Sequence, residues 1–362
     1  MSNNILVFCN SINGLFSFRG EVMSAISDKG YNLIIAGPID DKKDRIGFDI
    51  IDIQFERRGT NPISELRLLR TYVRLIKKYR PKAVLTYTIK PNIYGGLACR
   101  VTNTPQIANI TGLGDAIENK GWLQTVTIQL YKLGLAKAKR VFFQNSYNRK
   151  FCISQGIVDD KSILLPGSGV NLQYNKYQEY APEGTLKFIF IARLLKDKGT
   201  EEYFEMADYI KSHWPNTEFQ VLGWIEGDYK TKLEDLEGRG IIKYMGKTFD
   251  IRPFLTDIHC TILPSYHEGM SNVNLESAAN GRPVITTDVP GCRETVDDGV
   301  TGFWVRAKDS ADLIEKVERF IKMPYEQKVE MGIAARKKVE REFNRQIVVN
   351  AYLDEIDRIV DV

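Results

Sequence analysis

The sequence predicts an α/β protein made of two doubly wound domains facing across a cleft. Short unalternating runs of Val, Ile, Leu and Phe recur along the chain, and segments of helical periodicity separate them. The alternation lapses once near the middle and then restarts. The length, 362 residues, is more than one hydrophobic core usually serves.

In the first half the strand candidates are NILVFCN, YNLIIAG, FDIIDIQF, AVLTYT, PQIANIT, RVFFQN and SILLPG. Strands buried on both faces of a parallel sheet read this way. Helical patterns over 62–79, 91–101, 122–138 and 146–155 fall between most of them. GSGVNLQYNKYQEYAPEG, which follows Pro166 and contains Pro182, reads as a linker. The strands LKFIFIAR, EFQVLG, IKYMG, IHCTILPS, PVITTD and GFWV then alternate with helices again. Near the C-terminus Val349, Tyr352, Leu353, Ile356 and Val360 recur at helical spacing. The expected organisation is therefore two Rossmann-like domains, 1–172 with the terminal helix 346–362, and 173–345. Ligands in such sheets sit beyond the carboxyl ends of the strands.

Composition is that of an ordinary globular protein, with 43% hydrophobic and 27% charged residues. Charge is distributed unevenly. Residues 1–170 carry 24 Lys+Arg against 13 Asp+Glu, and residues 171–362 carry 26 against 33. A basic first half points to an anionic partner. The five cysteines are odd in number and form no CxxC, as expected of free thiols in a reducing cytoplasm. The N-terminus lacks a basic stretch before its apolar run, and no run approaches the ~20 residues that span a bilayer. Any membrane contact is expected to be peripheral, at the inner face of the cell membrane.

The stretch SYHEGMSNVNLESAANGRPVI carries Glu268 and Glu276 around a strand-to-helix turn. Asn272 is the expected N-cap and Gly281 the residue that ends the helix. Backbone N–H groups of Gly269, Met270, Ser271 and Asn272 would then stand at a helix N-terminus, which suits oxygen-rich ligands. Two carboxylates beside them suit the hydroxyls of a sugar and a ribose. Acidic residues near a helix start are also favoured by the dipole alone.

The spacing of the two acids within HEGMSNVNLESAANGRPVITTDVPGCRETVDDGVTGFWV resembles the E-x7-E donor segment of retaining glycosyltransferase family 4, which has the GT-B fold. FIARLLKDKGTEEYFEMA, with Arg193 and Lys198, resembles that family's diphosphate segment. YTIKPNIYGG and ANITGLGDAIENKG are similar to a subgroup building bacterial capsule, O-antigen or glycan precursors on lipid diphosphates. The resemblance implies a C-terminal helix that crosses back to the first domain. It gives Glu268 the donor sugar's hydroxyls, Gly269, Met270 and Ser271 the same sugar, and Asn272 and Val273 the diphosphate. Glu276 would hold the ribose, Lys247 or Thr248 the nucleotide base, and the Gly14 loop would approach the reacting centre. Arg193 and Lys198 would neutralise the leaving diphosphate. The chain has no D-x-D triplet, so these cations are expected to replace a metal.

On the acceptor side, Lys90 and Asn92 fall at the end of a predicted strand, and Arg19 follows the first loop. Thr111 stands near the place where many members of the family carry a His. The histidines are His213, His259 and His267, which leaves the proton acceptor undefined. In a retaining reaction the departing phosphate oxygen can take that proton. On helix 62–79, Leu66, Leu69, Tyr72, Val73, Ile76 and Tyr79 share one side, and Arg67, Arg70, Arg74, Lys77 and Lys78 form the opposite stripe. That stripe is either a solvated face or an anchor for anionic lipid.

The expected activity is metal-independent, retaining transfer of a hexose or N-acetylhexosamine from a UDP-sugar to an undecaprenyl-diphosphate-linked saccharide, with no further cofactor. The alternatives are a UDP-sugar 2-epimerase of the same fold and a nucleotide-sugar-binding protein without turnover. Nucleic acid is not an expected partner, because no recognisable module interleaves aromatic with basic residues.

Overall fold

A computed structural model describes residues 3–39, 47–56, 59, 61–113 and 121–360. Contacts divide the chain into two compact units, Met1–Ser168 with Gln346–Val362, and Gly169–Arg345. The boundary lies at 168/169 rather than 172/173. The Val170 N–H donates to the Phe343 carbonyl (2.8 Å) and its carbonyl accepts from the Arg345 N–H (3.1 Å), which ties this strand of linker to the second unit.

The first unit runs β1 (Asn4–Phe8), α1 (Ile12–Asp28), β2 (Asn32–Gly37), β3 (Asp49–Asp52), α2 (Pro62–Tyr79), β4 (Ala83–Tyr87), α3 (Gly96–Thr102), β5 (Gln106–Ile110), α4 (Trp122–Leu135), β6 (Arg140–Phe143), α5 (Ser146–Ser154) and β7 (Ser162–Leu164). A π-turn, Pro91–Gly95, leads into α3, so the expected helix 91–101 is two elements. The strands form one sheet in the order β3-β2-β1-β4-β5-β6-β7, with every pairing parallel. Successive residues of β1 serve opposite faces. Ile5 and Val7 join a core with α1 and the terminal helix, whereas Leu6 and Phe8 pack on α2. The Phe8 and Tyr72 rings stack at 3.9 Å. The buried face of α2 is Glu65, Leu68, Tyr72 and Ile76, and Leu66 is exposed rather than facing the core. Arg67, Arg70, Arg74, Lys77 and Lys78 are all exposed.

The second unit runs β8 (Leu186–Ile191), α6 (Thr200–His213), β9 (Thr217–Leu222), α7 (Tyr229–Gly238), β10 (Ile242–Tyr244), α8 (Arg252–Leu255), β11 (Cys260–Leu263), α9 (Asn272–Ala279), β12 (Val284–Thr287), β13 (Gly302–Val305), α10 (Ser310–Lys322) and α11 (Tyr325–Glu342). Its parallel sheet has the order β10-β9-β8-β11-β12-β13. The last helix, α12 (Arg345–Val360), returns to the first unit. There Val348, Val349, Tyr352 and Ile356 enter the core of β1 and α1. All five cysteines are free and buried.

Strand order reverses direction once in each sheet, between β1 and β4 and between β8 and β11. These two crevices are where parallel sheets place ligands.

Candidate functional site

In the second unit the crevice between β8 and β11 brings Lys198 and Glu268 together. Lys198 ends a single 3-10 turn, Lys196–Lys198, that follows β8. The next residue, Gly199, has φ +72, and a Cβ there would lie 2.1 Å from the Pro264 carbonyl oxygen. Only glycine permits that approach. The turn is then stitched to the loop after β11. The Tyr266 N–H donates to the Asp197 carbonyl at 2.8 Å, and so does the Ser265 hydroxyl at 3.1 Å. The result is an ion pair between Lys198 Nζ and Glu268 Oε1 at 2.8 Å, with side chains 15% and 19% exposed.

A second close approach holds the loop from below. Gly291 has φ +84, and a Cβ there would sit 2.2 Å from the Glu268 carbonyl oxygen. The Ser271 N–H donates to the Gly291 carbonyl at 2.8 Å. That amide is therefore committed to the scaffold and is not a ligand donor, contrary to expectation. Ser271, rather than Asn272, caps α9, because its hydroxyl accepts from the Asn274 N–H at 3.3 Å. Asn272 and Val273 are the first two helical residues, ahead of the first intrahelical bond. Met270 is buried in the core rather than lining an open loop.

Glu276 lies half-buried on α9 and its carboxylate makes no hydrogen bond or ion pair among the described residues. Burial pushes its pKa up to about 7, with Arg345 and Arg252 pulling it down and Asp250 pushing it up. The expected base-binding loop after β10 belongs to the same electrostatic neighbourhood. Arg252 grips both oxygens of Asp250 at 2.7 Å. The Thr248 hydroxyl accepts from the Asp250 N–H at 3.0 Å, and Lys247 is exposed. Arg193 is not part of the Lys198–Glu268 pair. It is exposed and bonds Glu226 at 3.2 Å.

In the first unit a pocket of about 240 Å³ is lined by Asn10, Phe55, Thr88, Ile89, Lys90, Thr111 and Gly112. Two expected acceptor residues, Lys90 and Thr111, meet there. The other two do not reach it. Asn92 is fully buried: its Oδ1 accepts from the Thr86 hydroxyl (2.7 Å) and its Nδ2 donates to the Asn109 carbonyl (2.8 Å). Arg19 is also buried, donating to Tyr352 Oη (3.4 Å) and to the Gly167 carbonyl (3.2 Å). Asn92 thus ties the π-turn to β4 and β5, and Arg19 ties α1 to α12 and to Gly167. Gly14 is not in a loop: it lies in the first turn of α1, and its N–H donates to the capping Ser11 hydroxyl at 3.0 Å. Most of the quoted segment GDAIENKG, from Gly114 to Lys120, lies outside the described residues.

Sequence reasoning missed Glu65, Asn10 and Thr88. Thr88 has φ +74, a left-handed backbone that β-branched residues rarely adopt. No local pattern announces that conformation, and the Glu65 partnership joins residues 25 apart.

Two family models match, and they fall on the two units. Glycosyl transferases group 1 matches residues 175–338, and Glycosyl transferase 4-like matches residues 6–145. The chain is a glycosyltransferase. It is 24% identical to the N,N'-diacetylbacillosaminyl-diphospho-undecaprenol alpha-1,3-N-acetylgalactosaminyltransferase of Campylobacter jejuni, over 96% of each chain. It is 28% identical to the capsular polysaccharide biosynthesis glycosyltransferase CapM of Staphylococcus aureus, over 81% of this chain and 80% of CapM. Its fold matches Anabaena Alr3699/HepE, solved in complex with UDP-glucose, with a TM-score of 0.77 and 15% identity over 97% and 98% of the two chains. The fold is that of the GT-B glycosyltransferases. The Campylobacter relative is named for a diphospho-undecaprenol-linked sugar, and CapM for capsular polysaccharide biosynthesis.

Proposed function

We propose that this glycosyltransferase moves a hexosyl or N-acetylhexosaminyl group from a UDP-sugar to an undecaprenyl-diphosphate-linked saccharide, with retention and without a metal. The observation that carries the donor side is the Lys198–Glu268 pair at the switch point of the second sheet. Negative charge builds on the nucleoside diphosphate as the sugar–phosphate bond breaks. Lys198 stabilises that charge, and the exposed Arg193 gives up Glu226 to join it. Glu268 accepts from the donor sugar's hydroxyls. Lys247, Thr248 and Glu276 serve the base and the ribose, while Gly269, Met270, Asn272 and Val273 shape the sugar and diphosphate subsites. The leaving phosphate oxygen takes the acceptor's proton, so no side-chain base is required.

The acceptor side rests on the chemistry of the Campylobacter relative, whose substrate carries an undecaprenol diphosphate. No helix among the described residues is long and apolar enough to cross a membrane. The exposed basic stripe of α2 gives the enzyme a peripheral hold on anionic lipid, at about 1 kcal/mol per residue near the surface. On α4, Trp122, Leu123, Val126 and Leu133 are exposed, apolar and close in helical angle, which suits the same surface.

The deciding experiment offers a panel of UDP-sugars to lipid-linked acceptors, with and without EDTA. Readouts are UDP release, product mass and the anomeric configuration by NMR. Acceptor-dependent UDP release that survives EDTA, with a retained anomer, is the expected result. UDP release without any acceptor points to an epimerase, and UDP-sugar binding without release points to a regulator.

A further inference from the structure

The pocket beyond β1 and β4 has a chemical character of its own. It lies at the switch point of the first sheet: Asn10 follows β1 and Thr88 follows β4. Thr88 is held in its left-handed backbone (φ +74) from beneath, because its carbonyl accepts from the Asn92 N–H at 3.0 Å. Asn92 is anchored in turn to Thr86 and Asn109. Strain at a strand end, maintained by a buried network, marks a position the fold keeps for a ligand.

The pocket's one cation among the described residues is already neutralised. Lys90 Nζ meets Glu65 Oε1 at 2.5 Å, with the two side chains 12% and 11% exposed. Glu65 comes from the first turn of α2, across the crevice. The remaining lining is polar but uncharged (Asn10, Thr88, Thr111) or apolar (Phe55, Ile89). The side chains of Asn10 and Thr111 make no hydrogen bond among the described residues, so both are available to a ligand. Two free amide or hydroxyl groups and an aromatic wall suit a sugar ring, which offers hydroxyls at its edge and C–H bonds on its face. A diphosphate needs uncompensated positive charge, which this lining lacks among the described residues. The volume, about 240 Å³, has room for one pyranose.

We infer that this pocket binds one uncharged sugar residue of the acceptor, with Asn10 and Thr111 as its hydroxyl contacts and Glu65 as the positioning residue that fixes and neutralises Lys90. The inference rests on the acceptor being a lipid-linked saccharide. It places the diphosphate elsewhere and makes the pocket a selector of the acceptor's sugar.

The test uses the full-length protein and lipid-free probes: methyl glycosides of N-acetylgalactosamine, N-acetylglucosamine and galactose, inorganic pyrophosphate, and UDP. Binding is read by saturation-transfer NMR and calorimetry. At least one glycoside is expected to bind the wild type, to weaken ~5–10-fold in Asn10→Ala and in Thr111→Val, and to withstand competition by pyrophosphate. Glu65→Gln exposes the Lys90 charge. It is expected to weaken glycoside binding and to create a response to pyrophosphate, and Glu65→Asp is expected to restore the wild-type pattern. Glycoside binding that ignores Asn10→Ala and Thr111→Val overturns the inference. So does displacement of the glycoside by pyrophosphate in the wild type. UDP binding in the same samples reports on the donor side: its loss counts against the proposed function, whereas intact UDP binding without any glycoside binding counts against the pocket alone.

Discussion

The two units each hold a Lys–Glu pair at the carboxyl end of a parallel sheet, and the pairs look alike. Lys90–Glu65 spans 2.5 Å and Lys198–Glu268 spans 2.8 Å, and all four side chains are less than one-fifth exposed. Their neighbours differ. Beside Lys198 stands the loop that leads into α9, with the half-buried Glu276 further along that helix. Around Lys90 stand Asn10, Thr88, Thr111 and Phe55. On the proposed reading, similar pairs serve different ligands. One is set among groups that answer developing charge, the other among groups that read hydroxyls.

The largest expected effect breaks the pair in the second unit. Lys198→Ala should lower kcat about 10²–10³-fold, as loss of a group that stabilises transition-state charge does. The matching change in the first unit, Glu65→Gln, should raise the acceptor KM and spare kcat. Equal kcat losses at both positions would erase the distinction.

Next in size is backbone replacement beneath the donor loop. Gly291→Ala forces a Cβ to within 2.2 Å of the Glu268 carbonyl oxygen at φ +84. It should cost more than about 1 kcal/mol, lowering Tm by several degrees, and should loosen UDP binding. Thermal denaturation with and without UDP checks both.

A pH effect separates the units further. The folded pKa of Glu276 is raised to about 7 from the ordinary 4.5. Its protonated form is favoured by the fold, so stability is fully present below about 4.5 and falls as pH rises to about 7. A ribose diol donates to the ionised form, so UDP affinity should rise as pH passes about 7. Glu276→Gln should flatten both trends, while glycoside binding in the first unit should show neither. The smallest effect is at Arg193. Its exposed pair with Glu226 contributes at most about 1 kcal/mol, so Arg193→Ala should leave Tm nearly unchanged and act on kcat alone.

Much of this was legible in the sequence because it is local. Buried parallel strands declare themselves as apolar runs, and every predicted strand position is occupied by one of β1 to β13. Helix 62–79 is found with those bounds, set by the Asn61 cap and Pro62. Glu268 and Glu276 stand at one strand-to-helix corner, as their spacing required. What failed depended on distant partners. Arg19 lies within α1 and Asn92 in the π-turn after β4, and nothing nearby in the sequence shows that Tyr352 and Asn109 will partner them. The amide of Ser271 looked available because the Gly291 loop that consumes it lies twenty residues on. Lys198 was expected near the donor, yet its direct bond to Glu268 needed the Gly199–Pro264 approach to form.

The most direct test of the donor corner compares turnover and UDP affinity in one preparation of Glu268→Ala, using the best donor and acceptor from the panel. The expected result is a fall in kcat of at least ~100-fold with the UDP Kd changed less than ~3-fold, because Glu268 meets the sugar and Lys198 remains for the diphosphate. Equal losses in kcat and in UDP affinity would contradict that division of labour.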